Sequence, residues 1–137
     1  PQAAYRRSLR VLDLAASQGG GCRIKSSLML GLGESPEEVE QTFDDLRGVG
    51  VTHLTIGQYL RPDADHLPVM EYVSPERFAE YEALAYRAGF AWARSGPFVR
   101  SSYHAAEGVQ MRRPVPSFPS DIGRKQGTGP GTIVERR

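Results

Sequence analysis

Two Ser-Pro-Glu triplets, Ser35-Pro36-Glu37 and Ser74-Pro75-Glu76, limit what this chain can fold into more than any other feature. Each reads as a helix start. A serine at the N-cap accepts a hydrogen bond from the first turn, and proline suits the first helical position, where its missing N–H leaves nothing unpaired. Glu38 completes a capping box with Ser35, and Val73 and Phe78 have the spacing of a hydrophobic staple around the second cap. What precedes and follows each triplet then decides the fold class.

The segments between helices have strand character. Ile24 to Leu30 holds the apolar run Leu28-Met29-Leu30, which suits a strand buried on both faces. Gly31-Leu32-Gly33-Glu34 turns the chain into the first triplet. Val51 to Leu60 is rich in Thr, Val, Leu, Ile and Tyr, and Arg61-Pro62-Asp63 breaks it. Phe90 to Arg94 is a short third strand. Helices fill the rest. Ala4 to Ala16 places Tyr5, Leu9, Leu12 and Ala16 at helical spacing, with Val11 and Leu14 widening that face, and Gly19-Gly20-Gly21 ends it. The second helix buries Val39, Phe43 and Leu46 and stops at Gly48 and Gly50. The third buries Phe78, Tyr81, Ala85 and Ala88 and ends at Gly89. The order helix–strand–helix–strand–helix–strand predicts an α/β fold with parallel strands and right-handed crossovers. Three strands do not close a barrel. They make an open half-sheet, or the second half of a barrel whose first half lies upstream.

Length and composition narrow the function. The chain has 137 residues, enough for one modest domain or part of a larger one. A net charge of +1 carries no signal for nucleic acid or an anionic membrane. No apolar run approaches the roughly 20 residues needed to span a bilayer. Pro1 to Arg10 lacks a signal-peptide core and an initiator Met, so the chain is expected to begin inside a longer reading frame. The single cysteine, Cys22, excludes an internal disulfide and any iron–sulfur cluster held by several thiolates of this chain, and is read as a small structural residue. A reducing cytoplasm is the default compartment. From Gly108 the composition shifts. Arg112 to Arg137 carries six basic residues against Asp121 and Glu135, is rich in Pro, Gly and Ser, and reads as a disordered tail rather than a basic arm. The division is therefore a folded 1–107 and a tail 108–137.

Three strings bear on chemistry. Ser27-Leu28-Met29-Leu30-Gly31-Leu32-Gly33-Glu34 lies at a strand end, where parallel folds hold ligands and glycine lets backbone approach closely. It lacks both the dinucleotide fingerprint and the Gly-Lys-Ser/Thr of a phosphate loop, so the alternative is a tight strand–helix turn. Thr55-Ile56-Gly57-Gln58-Tyr59-Leu60-Arg61-Pro62 sets a glycine inside a strand pattern, with Gln58 and Tyr59 as polar ligand contacts at its end; the pattern alone favours the alternative, a buried strand with an aromatic cap. Gly96-Pro97-Phe98-Val99-Arg100-Ser101-Ser102-Tyr103-His104 gathers a cation, two hydroxyls, a phenol and an imidazole on one loop, a density typical of a site; the equal alternative is a C-terminal loop whose hydroxyls cap neighbouring backbone groups. His53 is read as a surface or satisfied half-buried group, His66 as an isolated loop residue, and no spacing supports a zinc site.

Together, in this order and spacing, these strings resemble the lipoyl synthases of the radical S-adenosylmethionine superfamily, from about Tyr5 through Ala105. Lys25-Ser26-Ser27, Asp45-Leu46-Arg47, His66-Leu67-Pro68-Val69 and Tyr72-Val73-Ser74-Pro75 also match. The resemblance implies the C-terminal half of a partial (βα)6 barrel. It implies an enzyme that inserts two sulfurs at C6 and C8 of a protein-bound octanoyl chain, using S-adenosylmethionine and two 4Fe–4S clusters. Its partners would be octanoylated lipoyl-domain proteins or the glycine cleavage H protein, together with a reducing electron donor. Met29, Gly31, Gly33 and Glu34 would fall on the strand that contacts S-adenosylmethionine, and Gln58 and Tyr59 on the strand beside its adenine. Ser101 would ligate the auxiliary cluster that supplies sulfur, with Arg100 and Tyr103 near it or on the substrate side.

The sequence also departs from the family pattern. The three cysteines of each cluster are absent, Ile24 stands where Thr is usual, and Ser27 stands where Gly is usual. This chain by itself is thus expected to be inactive, and an isolated half-barrel to aggregate or bind a hydrophobic dye. Two other readings are a non-catalytic remnant or binding module, and another radical enzyme such as a biotin synthase relative. The Arg-Ser-Ser-Tyr string argues against the last.

Overall fold

A computed structural model describes residues 2–19 and 21–103, with side chains from Tyr5 onward. His104, the 107/108 division and the tail 108–137 lie outside the described residues. The elements are α1 (Gln2–Ser17), β1 (Lys25–Leu30), α2 (Pro36–Gly48), β2 (His53–Gln58), α3 (Pro75–Arg87) and β3 (Trp92–Ser95). Both serine caps form. Ser35 Oγ accepts from Glu38 N and the Glu38 carboxylate accepts from Ser35 N at 2.8 Å, closing the capping box. Ser74 caps α3 by accepting from Arg77 N.

The three strands are parallel in the order β1-β2-β3, with Lys25 opposite His53 and His53 opposite Trp92. Side chains alternate across the sheet. Leu28, Leu30, Leu54, Ile56 and Ala93 take one face and meet Val39, Phe43 and Leu46 of α2 and Phe78, Tyr81 and Ala85 of α3 in a single core. Phe43 and Phe90 pack edge to face within it. Leu9 and Leu12 bring α1 against the same cluster, and Tyr5 donates to Asp45 Oδ2 at 2.8 Å.

Two expectations about burial need correction. The strand buried on both faces is the central β2, not β1. Among the described residues β1 pairs on one side alone, so Met29 stays 39% exposed despite its apolar run. Val11 and Leu14 do not extend the buried stripe of α1. Both are exposed, because the helix meets the core through Leu9 and Leu12.

Candidate functional site

Glycine backbone freedom builds the carboxyl edge of the sheet. Gly31 has φ +107°, and a Cβ there would overlap the Gln58 amide and the Glu71 carbonyl oxygen. The close approach lets Gly31 O accept from Met70 N at 2.8 Å and Glu71 N at 3.3 Å. Gln58 clamps the same segment. Its Nε2 donates to Glu71 O at 2.9 Å and Tyr59 O at 3.0 Å, while its Oε1 accepts from Val73 N at 2.9 Å. Tyr59 donates to Leu67 O at 3.0 Å. Glu34 folds its carboxylate back on the turn, accepting from Gly31 N at 2.5 Å and Leu32 N at 2.9 Å. Gly33, at φ +99°, faces Met70. Met29, Gly31, Gly33, Glu34, Gln58 and Tyr59 therefore share one rim, with Gln58 and Glu34 bonded to backbone and Met29 open.

A second feature crosses the face of the sheet turned away from the helices. After β3 the chain turns at Gly96, whose N–H donates to Ile56 O at 3.0 Å. Val99 then lies on Gly57: a Cβ at Gly57 would overlap the Val99 carbonyl oxygen and stand 3.2 Å from Arg100 Nη1. Arg100 Nη1 donates to Val99 O at 2.8 Å and Pro97 O at 3.2 Å, which tightens the turn. Tyr103 N donates to Arg100 O at 2.9 Å, and Lys25 Nζ reaches Tyr103 O at 3.5 Å. The segment thus passes from β3 over β2 toward β1, with Ser101 exposed between Val99 and Tyr103.

This face is polar. Lys25, Ser27 and Met29 of β1 stand beside His53, Thr55 and Gly57 of β2, and Trp92 and Arg94 of β3 complete the rows. His53 stacks on Trp92 at 6.1 Å, Lys25 Nζ sits 5.1 Å and Arg94 Cζ 5.8 Å from the Trp92 ring. Arg94 also reaches round the edge to Glu82 at 3.1 Å. Partial burial lowers the Lys25 pKa below the usual lysine value. Ser27 Oγ, Thr55 Oγ1 and Trp92 Nε1 are buried here without a hydrogen-bond partner among the described residues. Buried polar groups ordinarily have partners, so this face suits a polar ligand or further protein rather than an apolar cover.

The metal chemistry within reach is narrow. Among the described residues no three His, Cys, Asp or Glu side chains converge. Cys22 is exposed and remote in sequence from the Ser101 segment. Ser101 is exposed on its turn. His66 is less isolated than its sequence context implies, since Nδ1 lies 2.6 Å from Asp63 Oδ1. His53 is buried, with Nδ1 2.8 Å from Thr52 Oγ1. Sequence reasoning missed the Lys25–His53–Trp92 row. Its signal is the two-residue period: these positions, aligned by register, share a face.

No family model matches the chain. Curated relatives do. It is 54% identical over 105 residues to the lipoyl synthase of Chlorobaculum parvum, a match covering 77% of this chain and 36% of that one. The lipoyl synthase of Rubrobacter xylanophilus is 51% identical over 113 residues, covering 82% of this chain and 35% of its own. That of Edwardsiella ictaluri is 51% identical over 115 residues, covering 82% and 36%. Over about four-fifths of its length, then, this chain belongs to the lipoyl synthases, as a stretch spanning about a third of the length of the relatives it matches.

Proposed function

We propose that this chain supplies the last strands of a partial (βα)6 barrel in a lipoyl synthase, the C-terminal half of the enzyme that inserts sulfur at C6 and C8 of a protein-bound octanoyl chain. The observation that carries this reading is the polar face crossed by the Ser101 segment. A barrel's working residues point inward from its strands, and the face that would point inward holds buried polar atoms without a partner among the described residues. The two 4Fe–4S clusters and S-adenosylmethionine, when bound, supply the radical and the sulfur. This chain's part is to position. Met29, Gly31, Gly33 and Glu34 frame the rim for S-adenosylmethionine, and Gln58 with Tyr59 holds the neighbouring loop in place beside it. Ser101 offers its oxygen to the auxiliary cluster. A serine oxygen is a poorer ligand than thiolate for iron in such a cluster, so Ser101 would hold it more loosely than a cysteine. Arg100 sets the turn that carries Ser101.

The remaining assignments follow from this reading. The substrate is an octanoylated lipoyl-domain protein or the glycine cleavage H protein, and a reducing electron donor is needed. The compartment is the cytoplasm. No helix among the described residues is long and apolar enough to cross a membrane. The folded part runs over 1–107, with 108–137 as an appended tail. The test is a graft: the matched segment replaces its counterpart in the Chlorobaculum parvum enzyme, and Ser101→Ala is made in the graft. Lipoyl product should fall at least 100-fold while 5′-deoxyadenosine is still released. Undiminished lipoyl formation by the alanine variant would remove Ser101 from the chemistry.

A further inference from the structure

We infer that Gly57 and Lys25 are positioning residues that hold the Ser101 arch at its two ends, an inference that rests on the reading of Ser101 as a cluster ligand. Ser101 is exposed and on a turn, a poor place for a metal ligand unless its backbone is fixed from elsewhere. The fixing points lie on either side of it. On one side, the Val99 carbonyl sits where the Cβ of any other residue at position 57 would be, so only glycine lets the arch reach the sheet. Val99 is 7% exposed, buried by that contact and its surroundings. On the other side, Lys25 crosses the Trp92 ring and points its ammonium at the Tyr103 carbonyl. The two holds come from adjacent strands, Lys25 from the first pair of the β1–β2 ladder and Gly57 from the last pair but one. The distance from Ser101 to the rim at Met29 is therefore set by the sheet, because Met29 pairs directly with Gly57.

Gly57→Ala and Lys25→Met test this, with Gly48→Ala as the reference change, since no atom lies within 4 Å of a Cβ at Gly48. Backbone hydrogen exchange is read at Val99 and Tyr103, in the full chain and again in the graft. Both variants should speed exchange at Tyr103 by 10-fold or more, and Gly57→Ala at Val99 as well, with the strand amides of β2 unchanged and Gly48→Ala silent. Unchanged exchange at Tyr103 in both variants overturns the inference. If Gly57→Ala melts the whole sheet, Lys25→Met decides, and wild-type protection there overturns it too. In the graft, the iron signature of the auxiliary cluster is read by Mössbauer spectroscopy. A loosened arch with an altered signature supports the inference. A loosened arch with an unaltered signature leaves the two holds standing and overturns Ser101 as the ligand they serve.

Discussion

Gly31 and Gly33 stand two residues apart with similar backbone angles, yet they should respond differently to alanine. Both lie at positive φ, where a side chain is strained. At Gly31 the new Cβ also meets the Gln58 amide and the Glu71 carbonyl, so strain and overlap add. At Gly33 the nearest atoms are Met70 Cγ and Cβ at 3.7 and 3.8 Å, an ordinary contact. Denaturant unfolding of the grafted enzyme should show a loss of about 1 kcal/mol for Gly33→Ala and about 3 kcal/mol for Gly31→Ala. Equal losses would mean that the Gly31–Glu71 contact does not constrain the fold. Tyr5 carries a different residue-scale signature. Its pKa is raised, first by burial and then by its hydrogen bond to the Asp45 carboxylate. The folded phenol thus keeps its proton where the unfolded one releases it. Native protein binds more protons there, so stability falls as pH rises from about 10. Tyr5→Phe should flatten this alkaline loss in a urea titration run between pH 9 and 11 (about the range in which an unperturbed tyrosine ionises).

At the scale of elements, the helix starts were legible because their information is local. Ser35 and Ser74 bond within one turn of themselves, so three or four residues suffice to read them. Ser74→Ala should lower stability by about 1 kcal/mol, and Ser35→Ala by somewhat more, since Glu38 loses its reciprocal arrangement as well. Thermal melts of the two variants, made in the grafted enzyme, check this ordering. Strand environment was less legible. Leu28-Met29-Leu30 looks like a doubly buried strand, but whether a strand is central or at an edge depends on which strands pair with it. Gln58 illustrates the same limit. A polar amide at a strand end matches a ligand contact and a structural clamp equally well, and only the approach of residues 71–73 shows the clamp. Lys25, His53 and Trp92 were hidden because their row exists only once three distant segments are set in register.

At the scale of the whole molecule, the described residues form three layers: helices on one face of a short parallel sheet, and the Ser101 segment across the other. Among the described residues one side of β1 is unpaired, and near it lies a cavity of about 310 Å³ lined by Tyr5, Leu28, Met29 and Val39, among others. An unpaired strand edge beside apolar side chains is a template for association. Leu67, Met70, Tyr72 and Phe98 are each at least 65% exposed, which adds apolar surface at the sheet's carboxyl end. The isolated chain should bind a hydrophobic dye and associate as its concentration rises, measured by dye fluorescence and light scattering. A dye-silent monomer with a sharp cooperative melt would contradict that. The fold class followed from the alternation of helix caps and strand runs. The family followed from the joint spacing of three strings, each weak on its own. Neither revealed how the sheet holds Ser101, because that depends on the Val99 carbonyl resting on Gly57, 42 residues upstream in the chain. The most direct measurement is lipoyl formation by the grafted Chlorobaculum parvum enzyme on an octanoylated protein. The account predicts turnover within about tenfold of the parent and its loss on Ser101→Ala. A graft that folds, takes up both clusters and cleaves S-adenosylmethionine, yet makes no lipoyl product, would contradict it.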